Sequence, residues 1–255
     1  MARNSPTRAK PDYSFSPKGA SSCVVVFHEV WGLVSHTQDV CKRLGKLGFA
    51  ARAPNMYSEH DDILTPDKIQ KTMEGVWELT LEERRDRVKV AKVLEEKGVA
   101  AEIKEVAAVL YDKRFRDRLL AKAVAAVEEA SKEYDRVSTL GFCMGGGLAL
   151  KSATKSRHLT SAVGFYGEPP ASEDVSRITV PVLALYAATD EIINSKAPAF
   201  VEAMLGAGKD LTLKTYPKTK HGFFNDTRKA VFDRRAAVES WDLTRWFLER
   251  TLGRH

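Results

Sequence analysis

Three side chains in this sequence have the types and order needed for acyl transfer: a thiol, an acid and an imidazole. Cys143 lies in GFCMGGG (residues 141–147), Asp190 in ATDE (188–191) and His221 in KHGF (220–223). The setting of the thiol, G-x-C-x-G, is the G-x-S-x-G turn with sulfur in place of oxygen. A strand that turns abruptly into a helix strains its central residue and demands small neighbours two positions away on each side. It also holds the side chain at the positive end of the helix, where the field favours thiolate, the nucleophilic form. A structural cysteine on a glycine-rich turn is the alternative. A phosphate-cradling loop would need G-x-G-x-x-G or G-x-x-x-x-G-K-[ST], and the stretch has neither. A thiol nucleophile requires a base, and the base an orienting acid. His221 and Asp190 fit those roles in chain order, with Glu191 competing for the acid position.

These groups need elements to position them. Cys23–Phe27 is a continuous apolar run, the pattern of a strand buried on both faces. Residues 37–48 have helical spacing, with Val40, Leu44 and Leu47 on one face, and FAARA (49–53) reads as a strand stopped by Pro54. Residues 66–133 read as strongly helical, interrupted at Gly75 and Gly98. Further strands are expected over 136–142, 161–166, 180–186 and 210–216. A final helix over roughly Arg228–Leu252 offers Val231, Val238, Trp241, Leu243 and Trp246 for packing. The alternation predicts one α/β domain over residues 20–255, a mainly parallel sheet flanked by helices, behind a flexible arm at residues 1–19. Cys143, Asp190 and His221 each fall at the carboxyl end of a strand, where such sheets bind ligands.

Composition narrows the partners. The net charge of +6 comes from 40 basic and 34 acidic residues that intermix along the chain, which argues for a solvated surface and against nucleic-acid binding. Cys23, Cys41 and Cys143 form neither a disulfide framework nor a metal motif, and the first two read as buried structural residues. The N-terminal stretch has no apolar signal core, and no run is long enough to span a bilayer. A cytoplasmic protein is expected, a monomer or homodimer acting on a small molecule. His36, His60, His158 and His255 are expected at the surface, whereas His28 adjoins Glu29 and falls near the site.

Together these residues resemble the dienelactone hydrolase (carboxymethylenebutenolidase) family, a cysteine-using branch of the α/β-hydrolase superfamily. The resemblance is carried by VVFHEVWG (25–32), APNMY (53–57), GFCMGG (141–146), FYG (165–167), Asp190 and HGF (221–223). It implies an α/β-hydrolase fold and hydrolysis of small carboxylic esters or lactones, with neither metal nor cofactor. It also implies a thioester on Cys143, with His221 oriented by Asp190 and an oxyanion hole at the backbone N–H groups of Val30 and Met144. Glu29 matches a glutamate that contacts the resting thiol and takes its proton when substrate arrives, a switch that would protect the thiol from oxidation.

Three features depart from the family pattern. The chain before the Glu29 strand is short, so the N-terminal hairpin is expected to be shortened or missing. The helical insertion before the nucleophile strand is long, and residues 88–114 could form a lid, a dimer contact or a plain surface helix. The family grips a substrate carboxylate with two arginines, but Asn225 stands at one of those positions, four residues after His221. Arg228 is the nearest replacement, and Arg84, Arg85 and Arg87 are candidates for the other. A binding or sensory protein that captures a lactone-like ligand without turnover is the alternative function.

Overall fold

Alternate residues of the second strand point into two different cores, and this sets the architecture. The computed structural model describes residues 12–76, 78–80 and 83–253. Strand β1 is Tyr13–Phe15 and β2 is Ser22–Phe27, every residue of β2 being buried. Cys23, Val25 and Phe27 join one hydrophobic cluster, while Val24 and Val26 join the other. A period of two between covered faces is what a parallel strand with helices on both sides requires.

Helix α1 (Ser35–Lys46) and the last helix, α9 (Arg234–Leu252), cover the face with Val24. The opposite face is covered by α2 (Pro66–Gly75), α4 (Ala101–Leu110), α5 (Lys113–Ser131), α6 (Met144–Ser152) and α8 (Ala197–Gly206). The remaining strands are β3 (Ala50–Ala53), β4 (Arg136–Phe142), β5 (Ser161–Phe165), β6 (Val182–Ala187) and β7 (Leu211–Tyr216). Their order is β1-β3-β2-β4-β5-β6-β7, parallel except for β1, which pairs antiparallel with β3. This is the α/β-hydrolase sheet with one short antiparallel strand where a longer hairpin would stand. The chain leaves β2 toward β3 and returns on its other side as β4. The resulting switch point opens a crevice beyond the carboxyl ends of β2 and β4.

Several expected boundaries shift for local reasons. Of the expected arm, residues 1–11 lie outside the described residues, while Tyr13–Phe15 pairs with Ala51–Ala53. The helical region breaks near Gly75 and Gly98 as its glycines predict, and again at Asp112. There the carboxylate accepts the backbone N–H groups of Arg114 (2.6 Å) and Phe115 (3.1 Å) and starts α5 as its N-cap. The final helix begins later than its apolar pattern suggests. Asp233 caps it by accepting the Ala236 N–H (2.9 Å), and residues 225–232 are occupied by turns. Its packing face differs in part from expectation: Trp241 and Leu243 pack against the core as expected and Ser240, Thr244, Phe247 and Leu248 are buried, whereas Val238 and Trp246 are exposed. Among the described residues no helix is long and apolar enough to cross a membrane.

The helical insertion folds partly around itself. Val76, Leu79, Val90, Leu94 and Ala107 form a third cluster that includes α3 (Arg87–Glu96), separate from the two sheet cores. Asp86 caps α3, accepting from the Val88 and Lys89 N–H groups at 2.9 and 3.1 Å. Leu94→Ala empties a fully buried position of this cluster, at a cost of about 2–4 kcal/mol. Hydrogen exchange should then accelerate between residues 76 and 110 while β4 keeps its protection. Equal loss of protection in β4 would show that the insertion and the sheet unfold as one unit.

Candidate active site

Cys143 follows directly on β4 and precedes α6, with backbone angles φ 55° and ψ −120°. Such strain at a residue with a side chain costs about 1–3 kcal/mol and persists only when the surroundings impose it. Here they do. A Cβ on Gly141 would lie 2.0 Å from the Gly145 carbonyl oxygen, and one on Gly145 would lie 2.2 Å from that of Phe27. The backbone of α6 thus presses against β4 and β2 with room only for hydrogen. The Cys143 N–H donates to the Phe165 carbonyl at the end of β5 (3.0 Å), which fixes the turn from a third strand. The thiol is left partly buried, facing the crevice.

Asp190 and His221 come from the loops after β6 and β7. Asp190 is buried; its Oδ1 accepts the Ile193 N–H, capping the short α7 (Glu191–Asn194), and its Oδ2 lies 2.5 Å from His221 Nδ1. Glu191 is exposed, so the geometry selects Asp190 as the imidazole's partner. Thr189 stitches the two loops together, donating its backbone N–H (3.1 Å) and its hydroxyl (2.6 Å) to the Thr219 carbonyl. The Cys143 thiol lies close enough to act on the imidazole as well. Burial works against the charged imidazolium. The charge of Cys143 and the hydrogen bond to Asp190 outweigh it, holding His221 well above the ordinary histidine range.

The loop after β2 carries the remaining groups. His28 is fully buried; its Nδ1 donates to the Glu29 carbonyl (2.6 Å) and its Nε2 accepts the Met56 N–H (3.1 Å). Both nitrogens are used by the neutral tautomer, and burial pushes His28 down to about 4. The Tyr57 hydroxyl donates to the Val30 carbonyl (2.9 Å) and touches Met144 Sδ (3.4 Å), linking the β2 loop to the start of α6. Glu29 is buried; its Oε1 accepts the Tyr166 hydroxyl (3.1 Å) and its Oε2 the Asn225 amide (2.5 Å). The ring of Tyr166 stands 5.0 Å from that of His221.

Of the candidate arginines whose side chains are described, only Arg228 is brought to these loops. Its guanidinium stacks 4.1 Å from the centre of Trp31 and donates to Gln70 on α2 (3.0 Å). Arg84 donates to the Leu79 carbonyl, and Arg87 pairs with Asp112 at 2.9 Å. The side chain of Arg85 and all of His255 lie outside the described residues.

Other residues are placed apart from the chemistry. His36 corrects an expectation: it is buried, edge-on to Phe142 and Phe224, because the first turn of α1 packs beneath the loop that carries Asn225. His60 is half-buried and His158 exposed. Cys23 and Cys41 are buried in the cores, and burial pushes both thiols up to about 12. An apolar hollow of about 800 Å³ between α8 and β7 holds none of the site residues. Tyr166 was legible only as part of FYG, and Tyr57 only as part of APNMY. Nothing in their spacing tells which partner either hydroxyl finds.

Two titrations test this electrostatic arrangement. A histidine whose folded value lies below its unfolded one stabilises the fold at neutral pH and loses that contribution on acidification. For His28 the window runs from 6.5 down to about 4, and the loss approaches about 3 kcal/mol. Urea unfolding at pH 7 and pH 4.5 should therefore show a shallower decline in His28→Gln than in the parent. For His221, an NMR titration should show imidazolium persisting above the usual histidine range. That shift should shrink in Cys143→Ser, where Asp190 alone still opposes burial; an unmoved titration would remove the thiol from the pair.

Comparison with known proteins places this geometry. The family model described as "Dienelactone hydrolase family" matches residues 11–252. A protein of Saccharolobus solfataricus, provisionally named carboxymethylenebutenolidase, is 35% identical over 92% of this chain and 91% of its own length. One of Aquifex aeolicus with the same provisional name is 30% identical, covering 91% of this chain and 89% of its own. Among solved structures, a Klebsiella pneumoniae protein provisionally titled dienelactone hydrolase superposes with a TM-score of 0.66. It is 24% identical and covers 91% of this chain and 90% of its own. The chain belongs to the dienelactone hydrolase family.

Proposed function

We propose that this protein is a cysteine-dependent hydrolase of small carboxylic esters or lactones, acting through Cys143, His221 and Asp190 and a thioester acyl-enzyme. The observation that carries the proposal is the Asp190–His221 hydrogen bond, with the imidazole in turn beside a thiol on a strained turn. The names borne by its relatives support a lactone among the substrates.

In this mechanism the Cys143 thiolate attacks the ester carbonyl carbon, and the carbonyl π-electrons move to oxygen. The Val30 and Met144 backbone N–H groups receive that oxyanion. Neither is engaged in a hydrogen bond among the described residues, and Tyr57 holds their two segments in register. Collapse of the tetrahedral adduct breaks the C–O bond, and the His221 imidazolium gives its proton to the departing alkoxide or enolate. Neutral His221 then takes a proton from water as the water attacks the thioester. The acid leaves, and the thiol–imidazole pair is restored. Asp190 keeps Nδ1 occupied throughout, so Nε2 faces the reacting atoms.

Arg228 is placed to receive a substrate carboxylate, its guanidinium lying beside Trp31 with only Gln70 as its side-chain acceptor among the described residues. The function includes a cytoplasmic setting, where three unpaired cysteines stay reduced.

Hydrolysis of p-nitrophenyl acetate and of cis- and trans-dienelactone by the parent and Cys143→Ala tests the proposal. The substitution should lower kcat/KM by about 1,000-fold or more. Intact-mass spectra of the parent during turnover should show a transient acyl adduct on Cys143. Undiminished activity in Cys143→Ala would overturn the nucleophile, and a stable stoichiometric adduct would favour a ligand-capturing protein.

A further inference from the structure

Glu29 is a buried carboxylate satisfied by neutral donors, without a lysine or arginine bonded to it among the described residues. Taking a carboxylate out of water is costly unless hydrogen bonds replace the solvent, so its two partners carry the whole burden. Both are immobilised. Asn225 is 1% exposed, and its Oδ1 accepts the Thr227 N–H (3.1 Å) and the Thr227 hydroxyl (2.7 Å). An amide with its oxygen so engaged must turn its NH₂ toward Glu29 Oε2. Tyr166 is fully buried with φ 38°, and its own N–H donates to the Leu185 carbonyl (2.7 Å). The phenol cannot swing away without disturbing the ends of β5 and β6.

The two bonds take one oxygen each. Among the described residues the Glu29 carboxylate makes no hydrogen bond to Cys143. An arginine at position 225 would be a long, mobile cation able to exchange Glu29 for a substrate. Asn225 is short, uncharged and tied at its far end, so it has no comparable travel.

We propose that Asn225 and Tyr166 are positioning residues that hold Glu29 off the Cys143 sulfur in the resting protein. The thiol–imidazole pair is thereby armed before substrate arrives and needs no substrate carboxylate to release it. This rests on the hydrolase reading above and narrows it: uncharged esters and lactones are as competent as carboxylate-bearing ones. It also replaces the protective switch that the family resemblance implies for Glu29. The resting thiol stays open to electrophiles and oxidants of matching size.

The test is the rate of Cys143 alkylation by iodoacetamide at pH 6, read by peptide mass, with the buried Cys23 and Cys41 as internal references. Asn225→Ala frees Glu29 to engage the thiol and should slow alkylation by about tenfold. Adding Glu29→Gln to that variant should restore the rate to within about twofold of the parent. A merely structural role for Asn225 would lower the thermal midpoint without any such recovery. Tyr166→Phe removes the second donor while keeping the ring, and should slow alkylation in the same direction should Asn225→Ala not fold. An unchanged rate in these variants, or slowing that Glu29→Gln does not reverse, overturns the proposal.

A second arm compares a carboxylate-bearing lactone with its methyl ester. Values of kcat/KM within about tenfold agree with the proposal, whereas a preference for the acid above about 100-fold overturns it. Retained esterase activity in Cys143→Ala would sink the hydrolase mechanism instead. The two failures are therefore distinguishable.

Discussion

At the turn around Cys143, the backbones of β2, β4 and α6 approach until only glycine hydrogens separate them. That contact sets the height of the thiol above the sheet and the direction in which α6 leaves. It also sets how far the β2 loop with Glu29 and Val30 can reach across the crevice. A methyl group at Gly141 or Gly145 would push these segments apart, and the thiol and the Tyr57 bridge would lose their common frame. The rest of the site is built outward from this turn by short hydrogen bonds. Thr189 joins the acid loop to the histidine loop, and His28 pins the Glu29 loop to Met56. These bonds tie together loops that carry the buried side chains of His28, Glu29, Asp190 and Thr219.

The electrostatics follow from the same construction. Two histidines near the crevice are pushed in opposite directions by what they touch. His28 meets a carbonyl and a backbone N–H in a fully buried position and is held neutral. His221 meets a carboxylate and a sulfur, and its charged form is favoured. Identical side chains are thus held in different charge states by their surroundings. Tyr166 stands between the imidazole and Glu29, occupying one carboxylate oxygen that would otherwise reach for a nearby donor.

Much of this was legible in the sequence where a single short segment carries both the residue and its placement. The glycines around Cys143 announce the turn, and Asp190 and His221 each follow a run of strand-forming residues. The partnership of Asn225 with Glu29 was not legible, because it joins loops 196 positions apart. From the chain alone, Asn225 was only the lack of an arginine. His36 looked like a surface residue because α1 had no visible neighbour on that side. The aromatic cluster of Phe142 and Phe224 that buries it forms only once the histidine loop folds back over the sheet. In α9 two apolar residues misled, Val238 and Trp246, which are exposed; the covered face includes the small hydroxyls of Ser240 and Thr244, which bond back to carbonyls of their own helix.

The helical insertion has a small interior of its own, and Arg228 fastens the neighbouring α2 to the loop after β2 through Gln70 and Trp31. Its α4 also reaches the main core through Val106 and Leu110, so the insertion is joined to the sheet by packing as well. For enzyme engineering this divides the chain into a fixed sheet core and an outer layer, α3, whose buried side chains can be redesigned without touching that core.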